Sequence, residues 1–200
     1  MFDVIIKTLD LEKVEIPELH FNLNQQSFAK KYQNAGLDRK KQLWASRYLL
    51  AEILNTSFQA VITDGFLGYD QFHRPYISEQ SHYSFNISHT ENTVVVVVGM
   101  DEVGVDIESW DREINLNNPR KVFSPAELNY ANDDSRIILK LWTVKEAVLK
   151  AAGVGLRVSP NQVLVDLQAH SALFQDQCFN LIDFQIGNQI CGTIAQKLGD

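Results

Sequence analysis

The hydrophobic pattern changes period several times along the chain, and each change marks an element. Strand-like alternation opens it at "FDVIIKT". Leu43, Leu50 and Leu54 then recur at helical spacing in "DRKKQLWASRYLLAEIL", predicting a helix over residues 38–54. "YDQFHRPYI" is turn-like around Pro75, and "HYSFNISH" alternates Tyr83, Phe85 and Ile87 with polar residues. "TVVVVVGM" is a β-branched run suited to a strand buried on both faces, and "DEVGVDIES" follows as the next strand. Residues 85–108 therefore read as the centre of a sheet.

Residues 109–124 are irregular and polar. "SPAELNYA" has the grammar of a helix start, with Ser124 as cap, Pro125 in the first turn and Glu127 three residues after the cap. The strongest helical pattern covers residues 135–153 and ends at Gly153 and Gly155. "NQVLVDL" and a hairpin turning at Gly187-Asn188 predict three further strands. The fold class is α/β, and with no low-complexity linker along the chain a division into halves, 1–100 and 101–200, would have to be seamless. A short echo points the same way: "LWASRYLLAEIL" and "LWTVKEAVLKAA" share Leu-Trp and a cation three residues later, Arg47 or Lys145.

Composition narrows the class. Two hundred residues, 45% hydrophobic and 22% charged, suffice for one large domain or two joined halves. A net charge of -7 argues against a general nucleic-acid binder. No apolar run approaches the ~18 residues of a membrane span, and "MFDVIIKTLDLEK" becomes charged too early for a secretory signal, so a cytoplasmic protein is expected. Cys178 and Cys191 read as reduced thiols, with a disulfide as the minority reading.

The candidate chemistry begins with two acids. In a strand, Asp106 and Glu108 share one face, which fits either a wet strand face or a metal platform. Glu146, on the 135–153 helix, would be a third carboxylate. Two anions in contact at 4 Å repel by about 4 kcal/mol at an effective dielectric near 20, so a cluster of them must be protonated or metallated. Oxygen ligands without His or Cys favour Mg²⁺. The structural alternative for Glu146 is an i,i+4 pair with Lys150, worth about 0.2–0.5 kcal/mol. Lys30, Lys31, Arg39, Lys40, Lys41 and Arg47 face one acid, Asp38, over residues 30–47. That run is a local anion site or a solvated helix face. Ser88 and His89 add a hydroxyl and an imidazole at a strand end, where His89 taken singly is a structural histidine. Glu127 taken singly is a capping-box residue.

In order and spacing, "FNISHTENTVVVVVGMDEVGVDIES", "FSPAEL" and "LWTVKEAVLKAAGVGL" resemble the 4′-phosphopantetheinyl transferases of the Sfp type over residues 74–156. The resemblance implies two similar α/β halves related by a pseudo-twofold axis, with coenzyme A in the cleft between them and Mg²⁺, or Mn²⁺, on its pyrophosphate. Asp106, Glu108 and Glu146 would be metal ligands, and Lys145 and Lys150 would face phosphates. Ser88 and His89 would hold the 3′-phosphate end, with Arg47 and Arg74 as further nucleotide contacts. Arg74 stands in His73-Arg74-Pro75, where the family usually has Gly-Lys-Pro.

The implied reaction moves phosphopantetheine from coenzyme A to a serine of an apo acyl, peptidyl or aryl carrier protein and releases adenosine 3′,5′-bisphosphate. Lys150 would sit near the leaving oxygen. Glu146 is preferred as the base, with Glu127 acting through water as the other choice. Neither nucleic acid nor membrane is an expected partner, and a monomer is expected. A coenzyme A binding sensor without transfer, and a Mg²⁺-dependent phosphohydrolase, are the alternative functions.

Overall fold

Five consecutive valines, Val94–Val98, set the layout of the computed structural model, which describes residues 4–14, 31–58, 67–71, 75–77, 83–114 and 118–199. Strand β5 (Thr93–Gly99) lies between β1 (Ile5–Asp10) and β4 (Ser84–His89), antiparallel to both. Val94, Val96 and Val98 pack against Leu49, Leu50, Ile53 and Leu54 of helix α1 (Leu37–Ser57). Val95 and Val97 turn the other way, onto Val103, Val105 and Ile107 of β6 (Val103–Ser109). A helix covers one face and a second sheet the other, so no position in the run can be polar.

The second sheet has the order β6-β10-β9-β8-β7, built from β7 (Leu164–Asp166), β8 (Ser171–Phe174), β9 (Gln177–Ile186) and β10 (Ile190–Lys197). Helix α2 (Pro125–Ala131) begins with the reciprocal Ser124–Glu127 capping box. Helix α3 (Ser135–Ala151), capped by Asp134, buries Val144, Ala147 and Val148 against Phe174, Phe179, Leu181 and Ala195. The strand orders correspond: β1-β5-β4 in the first sheet and β6-β10-β9 in the second. Both thiols are free, Cys178 exposed and Cys191 buried. Among the described residues no helix is long and apolar enough to cross a membrane.

Two expectations need correction. Four strands follow α3 rather than three, because the β8–β9 turn uses Gln175 and Asp176 at φ of 48° and 63°, without the glycine that usually marks such a turn. Pro75, read as part of a turn, begins the short strand β3 (Pro75–Ile77), which pairs with β2 (Leu67–Tyr69).

Polar side chains join the two sheets. Ser84 Oγ, Asn86 Oδ1 and Ser88 Oγ accept hydrogen bonds from the backbone N–H groups of Val103, Val105 and Ile107 at 3.0, 3.2 and 3.2 Å. Every second residue of β4 thus satisfies an edge donor of β6 that would otherwise be buried without a partner. Phe85, between them, enters the α1 core. The alternation in "SFNISH" is therefore core on one side and seam on the other.

Candidate active site

Asp106 and Glu108 project from β6 toward α3, opposite Thr193 and Cys191 of β10. Only 5% and 7% of these residues is exposed, which excludes a wet strand face. Gly104, two residues before Asp106 on the same face, lets α3 come close enough to meet them. Trp142, Glu146 and Lys150 stand four residues apart along α3, on one helical face.

Each carboxylate of the β6 pair already has a cation. Lys150 Nζ donates to Asp106 Oδ1 at 2.6 Å, to Val105 O at 3.1 Å and to Ser88 Oγ at 3.3 Å. Ser88 donates its own proton to Asp106 Oδ1 at 3.0 Å. Arg112 pairs with Glu108 Oε1, which also accepts from Trp142 Nε1 at 3.1 Å. The second oxygen of Asp106, Oδ2, is buried with no hydrogen-bond partner. A buried carboxylate oxygen left bare is costly, and a divalent cation would satisfy it. Burial, then the Asp106 charge, raises the Glu146 pKa; Lys150 partly offsets this, and Glu108 adds to the rise.

Among the described residues no three His, Cys, Asp or Glu side chains form a ready-made metal cage. Mg²⁺ does not need one, because it binds through one or two carboxylates and completes its shell with water and substrate phosphate. The residues fit that ion.

The sequence-predicted contacts divide into three groups. Asp106, Glu108, Glu146, Lys150 and Ser88 come together, with the Ser88 hydroxyl held by the seam and by the Asp106–Lys150 pair. His89 lies at the exposed end of β4, where Nε2 meets Arg39 at 2.8 Å. Loss of water around the ring, then the Arg39 and Lys150 charges, lower its pKa. Lys31 feels both Arg39 and Arg47, so Arg47 belongs to the same basic surface. Arg74 lies outside the described residues.

Lys145 and Glu127 form the third group and correct two expectations. Lys145 is 0% exposed, and its ammonium donates to Val163 O at 2.6 Å and Pro160 O at 3.2 Å while pairing with Glu127 Oε1 at 2.8 Å. Three acceptors occupy three donors, leaving none for a phosphate. Glu127 accepts from the Ser124 N–H through its other oxygen at 2.7 Å, so it anchors the start of α2. Lys145→Met keeps the volume but leaves Glu127 and two carbonyls buried without the ammonium. Losing one partner of a buried pair costs about 3–5 kcal/mol. Thermal denaturation of the variant should show a melting point lower by about 6–20 °C, and an unchanged one would refute this structural role.

Trp142 and Arg112 escaped the sequence reading, and Arg39 stood in it only within the 30–47 cation run. Trp142 had a usable signal, its i−4 and i−8 spacing from Glu146 and Lys150. Arg39 was one cation in a run, with nothing to single it out. Arg112 lies in a stretch without periodicity and is recognised only by its contact with Glu108.

Residues 102–192 match the family model described as the 4′-phosphopantetheinyl transferase superfamily. That span includes Asp106, Glu108, Glu127, Lys145, Glu146 and Lys150, while Arg47, Arg74, Ser88 and His89 lie before it. A 4′-phosphopantetheinyl transferase of Bacillus subtilis is 26% identical over 62% of this chain and 54% of its own length. The transferase gsp of Aneurinibacillus migulanus is 29% identical over 48% and 42%. The transferase HetI of Nostoc sp. is 25% identical over 74% and 67%. The chain thus spans about half the length of the first two relatives. These matches put residues 102–192 in the 4′-phosphopantetheinyl transferase superfamily, and the chain resembles its Sfp-type members.

Proposed function

We propose that this protein transfers the 4′-phosphopantetheine arm of coenzyme A to a serine of an apo carrier protein and releases adenosine 3′,5′-bisphosphate, in a Mg²⁺-dependent reaction. The observation that carries the reading is the buried Asp106–Glu108 pair, with Asp106 Oδ2 bare and Glu146 and Lys150 beside it, inside the matched span. Asp106 and Glu108, with Glu146, would hold Mg²⁺, which when bound neutralises charge on the pyrophosphate.

The serine Oγ forms a bond to the β-phosphorus of coenzyme A. The bond from that phosphorus to the oxygen bridging the two phosphates breaks, and its electron pair leaves with adenosine 3′,5′-bisphosphate. Glu146, freed from part of its metal role, takes the serine proton. Lys150, paired with Asp106, would sit near the leaving oxygen. Arg39, His89 and Arg47 form the basic surface for the nucleotide phosphates. The two halves, 1–100 and 101–200, form the two walls of the cleft under a pseudo-twofold relation, a reading supported by the corresponding strand orders.

The test is incubation of the purified protein with coenzyme A, Mg²⁺ or Mn²⁺, and a panel of apo carriers, followed by mass spectrometry of the carriers. Gain of one phosphopantetheine arm, dependent on the divalent ion, is the expected result. Coenzyme A binding by calorimetry without transfer to any carrier would make it a binding protein instead. Release of adenosine bisphosphate without a carrier would make it a hydrolase.

A further inference from the structure

Lys150 and Arg112 neutralise neighbouring carboxylates, but the structure holds them very differently. Lys150 is fixed by Asp106, Val105 O and Ser88 at once, and its side chain is 25% exposed. Arg112 reaches back to Glu108 from the loop that follows β6, with 47% of its side chain in solvent. It lies over the Trp142 ring, with the guanidinium carbon 5.8 Å from the ring centroid. Trp142 in turn donates to the Glu108 oxygen that Arg112 contacts. The charges of Asp106 and Glu146 also act on Arg112. It is the most exposed of the charged groups around the pair and the easiest to move.

A divalent ion on this carboxylate pair would bring two positive charges against a guanidinium already on Glu108. The three cannot share the carboxylate without strong repulsion. We propose that Arg112 is a displaceable counter-cation: it holds Glu108 while the divalent ion is absent, yields the carboxylate when the ion binds, and then takes the pyrophosphate of the incoming coenzyme A. Its planar fork suits bidentate contact with a phosphate better than an ammonium does. The Trp142 face keeps it beside the site once Glu108 is lost. Arg112 would thus make metal binding weaker alone and stronger with the anionic substrate. This rests on the reading of the site as one that binds Mg²⁺ and coenzyme A.

The experiment uses the full chain, with Mn²⁺ as probe and its free-ion resonance as readout, on wild type, Arg112→Ala and Arg112→Lys. Without coenzyme A, Arg112→Ala should bind Mn²⁺ about tenfold tighter than wild type, with Arg112→Lys nearer to wild type. With Mn²⁺ saturating, calorimetry should show coenzyme A bound about tenfold more weakly by Arg112→Ala, and Arg112→Lys should recover part of the loss. Unchanged or weaker Mn²⁺ binding in Arg112→Ala overturns this proposal alone, because a residue that only steadied Glu108 would give that result. Absence of Mn²⁺ binding in wild type, with or without coenzyme A, overturns the metal reading and this proposal with it.

Discussion

Asp106→Ala is expected to lower phosphopantetheine transfer by about 10³-fold or more and to leave the protein folded. The activity loss follows from the oxygens removed. Asp106 Oδ1 orients Lys150 and Ser88, and Oδ2 is the buried atom with no protein partner. Removing a single preorganised electrostatic group from an active site typically costs about 10²–10³ in rate, and here the same substitution also removes a metal ligand. Stability moves differently. Lys150 loses its ion pair but keeps Val105 O and Ser88 Oγ and has access to water. The bare Oδ2 disappears, and Glu146 loses the neighbouring charge that raises its pKa most after burial. These changes oppose one another, so the net loss should stay within about 2 kcal/mol, or roughly 4–8 °C in melting temperature. Mass spectrometry of a carrier and a thermal melt, run together with Asp106→Asn as the isosteric control, separate the outcomes. Unfolding of Asp106→Ala, or transfer near the wild-type rate, would return the pair to a structural role.

The site was legible where chemistry and periodicity coincide. Asp106 and Glu108 at i and i+2 on a strand, and Glu146 and Lys150 at i and i+4 on a helix, state their shared faces directly. Burial could not be read, because a solvated strand face has the same spacing. Lys145 shows the limit more sharply. It is adjacent to Glu146 in sequence, yet a step of about 100° around the helix turns it into the core, where Glu127 and two carbonyls from the chain near Pro160 receive it. Nothing local in "WTVKEAVLK" announces those acceptors. Ser88 misled for a similar reason. Its hydroxyl suits a phosphate, but two of its three hydrogen bonds are set by an edge strand from the other sheet and the third by Lys150 of α3.

The internal echo carries more than its few identities suggest. Glu52 lies eight residues after Trp44, as Lys150 lies eight after Trp142. In the first sheet Lys7 of β1 pairs with Glu52 of α1; in the second Asp106 of β6 pairs with Lys150 of α3. Each half has a strand-to-helix ion pair at the same place, with the charges exchanged. An alignment scores that exchange as two mismatches, although the physical interaction is retained. This supports the proposed relation between the halves and shows why the sequence alone displays it weakly. The second half adds a further carboxylate on the same strand face, Glu108, at a position where β1 carries the packed apolar residue Leu9.

The approach of α3 to β6 that brings these groups together hangs on one missing methyl group, and Gly104→Ala should show it. A β-carbon at Gly104 would overlap the Ala147 carbonyl oxygen and the Ala151 amide nitrogen, both backbone atoms of α3. A side chain could rotate away, but a helix backbone cannot. The helix must lift, and with it go the packing of Val144, Ala147 and Val148 on the second sheet and the reach of Lys150 to Asp106. Overpacking a well-filled core costs typically 1–3 kcal/mol where side chains can adjust; displacement of a backbone against a backbone should cost about 4 kcal/mol or more, in a protein whose whole stability is about 5–15. Gly104→Ala should therefore melt at least about 8–16 °C below wild type, or fail to accumulate as folded protein. Gly199→Ala, where the added carbon meets nothing within 4 Å, should melt with wild type. Any folded fraction of Gly104→Ala should also lose transfer, because Asp106 and Glu108 stay on β6 while Glu146 and Lys150 move away with α3. A Gly104→Ala protein that melts with wild type would mean that the helix does not approach this strand so closely, and the carboxylate site built on that approach would fall with it.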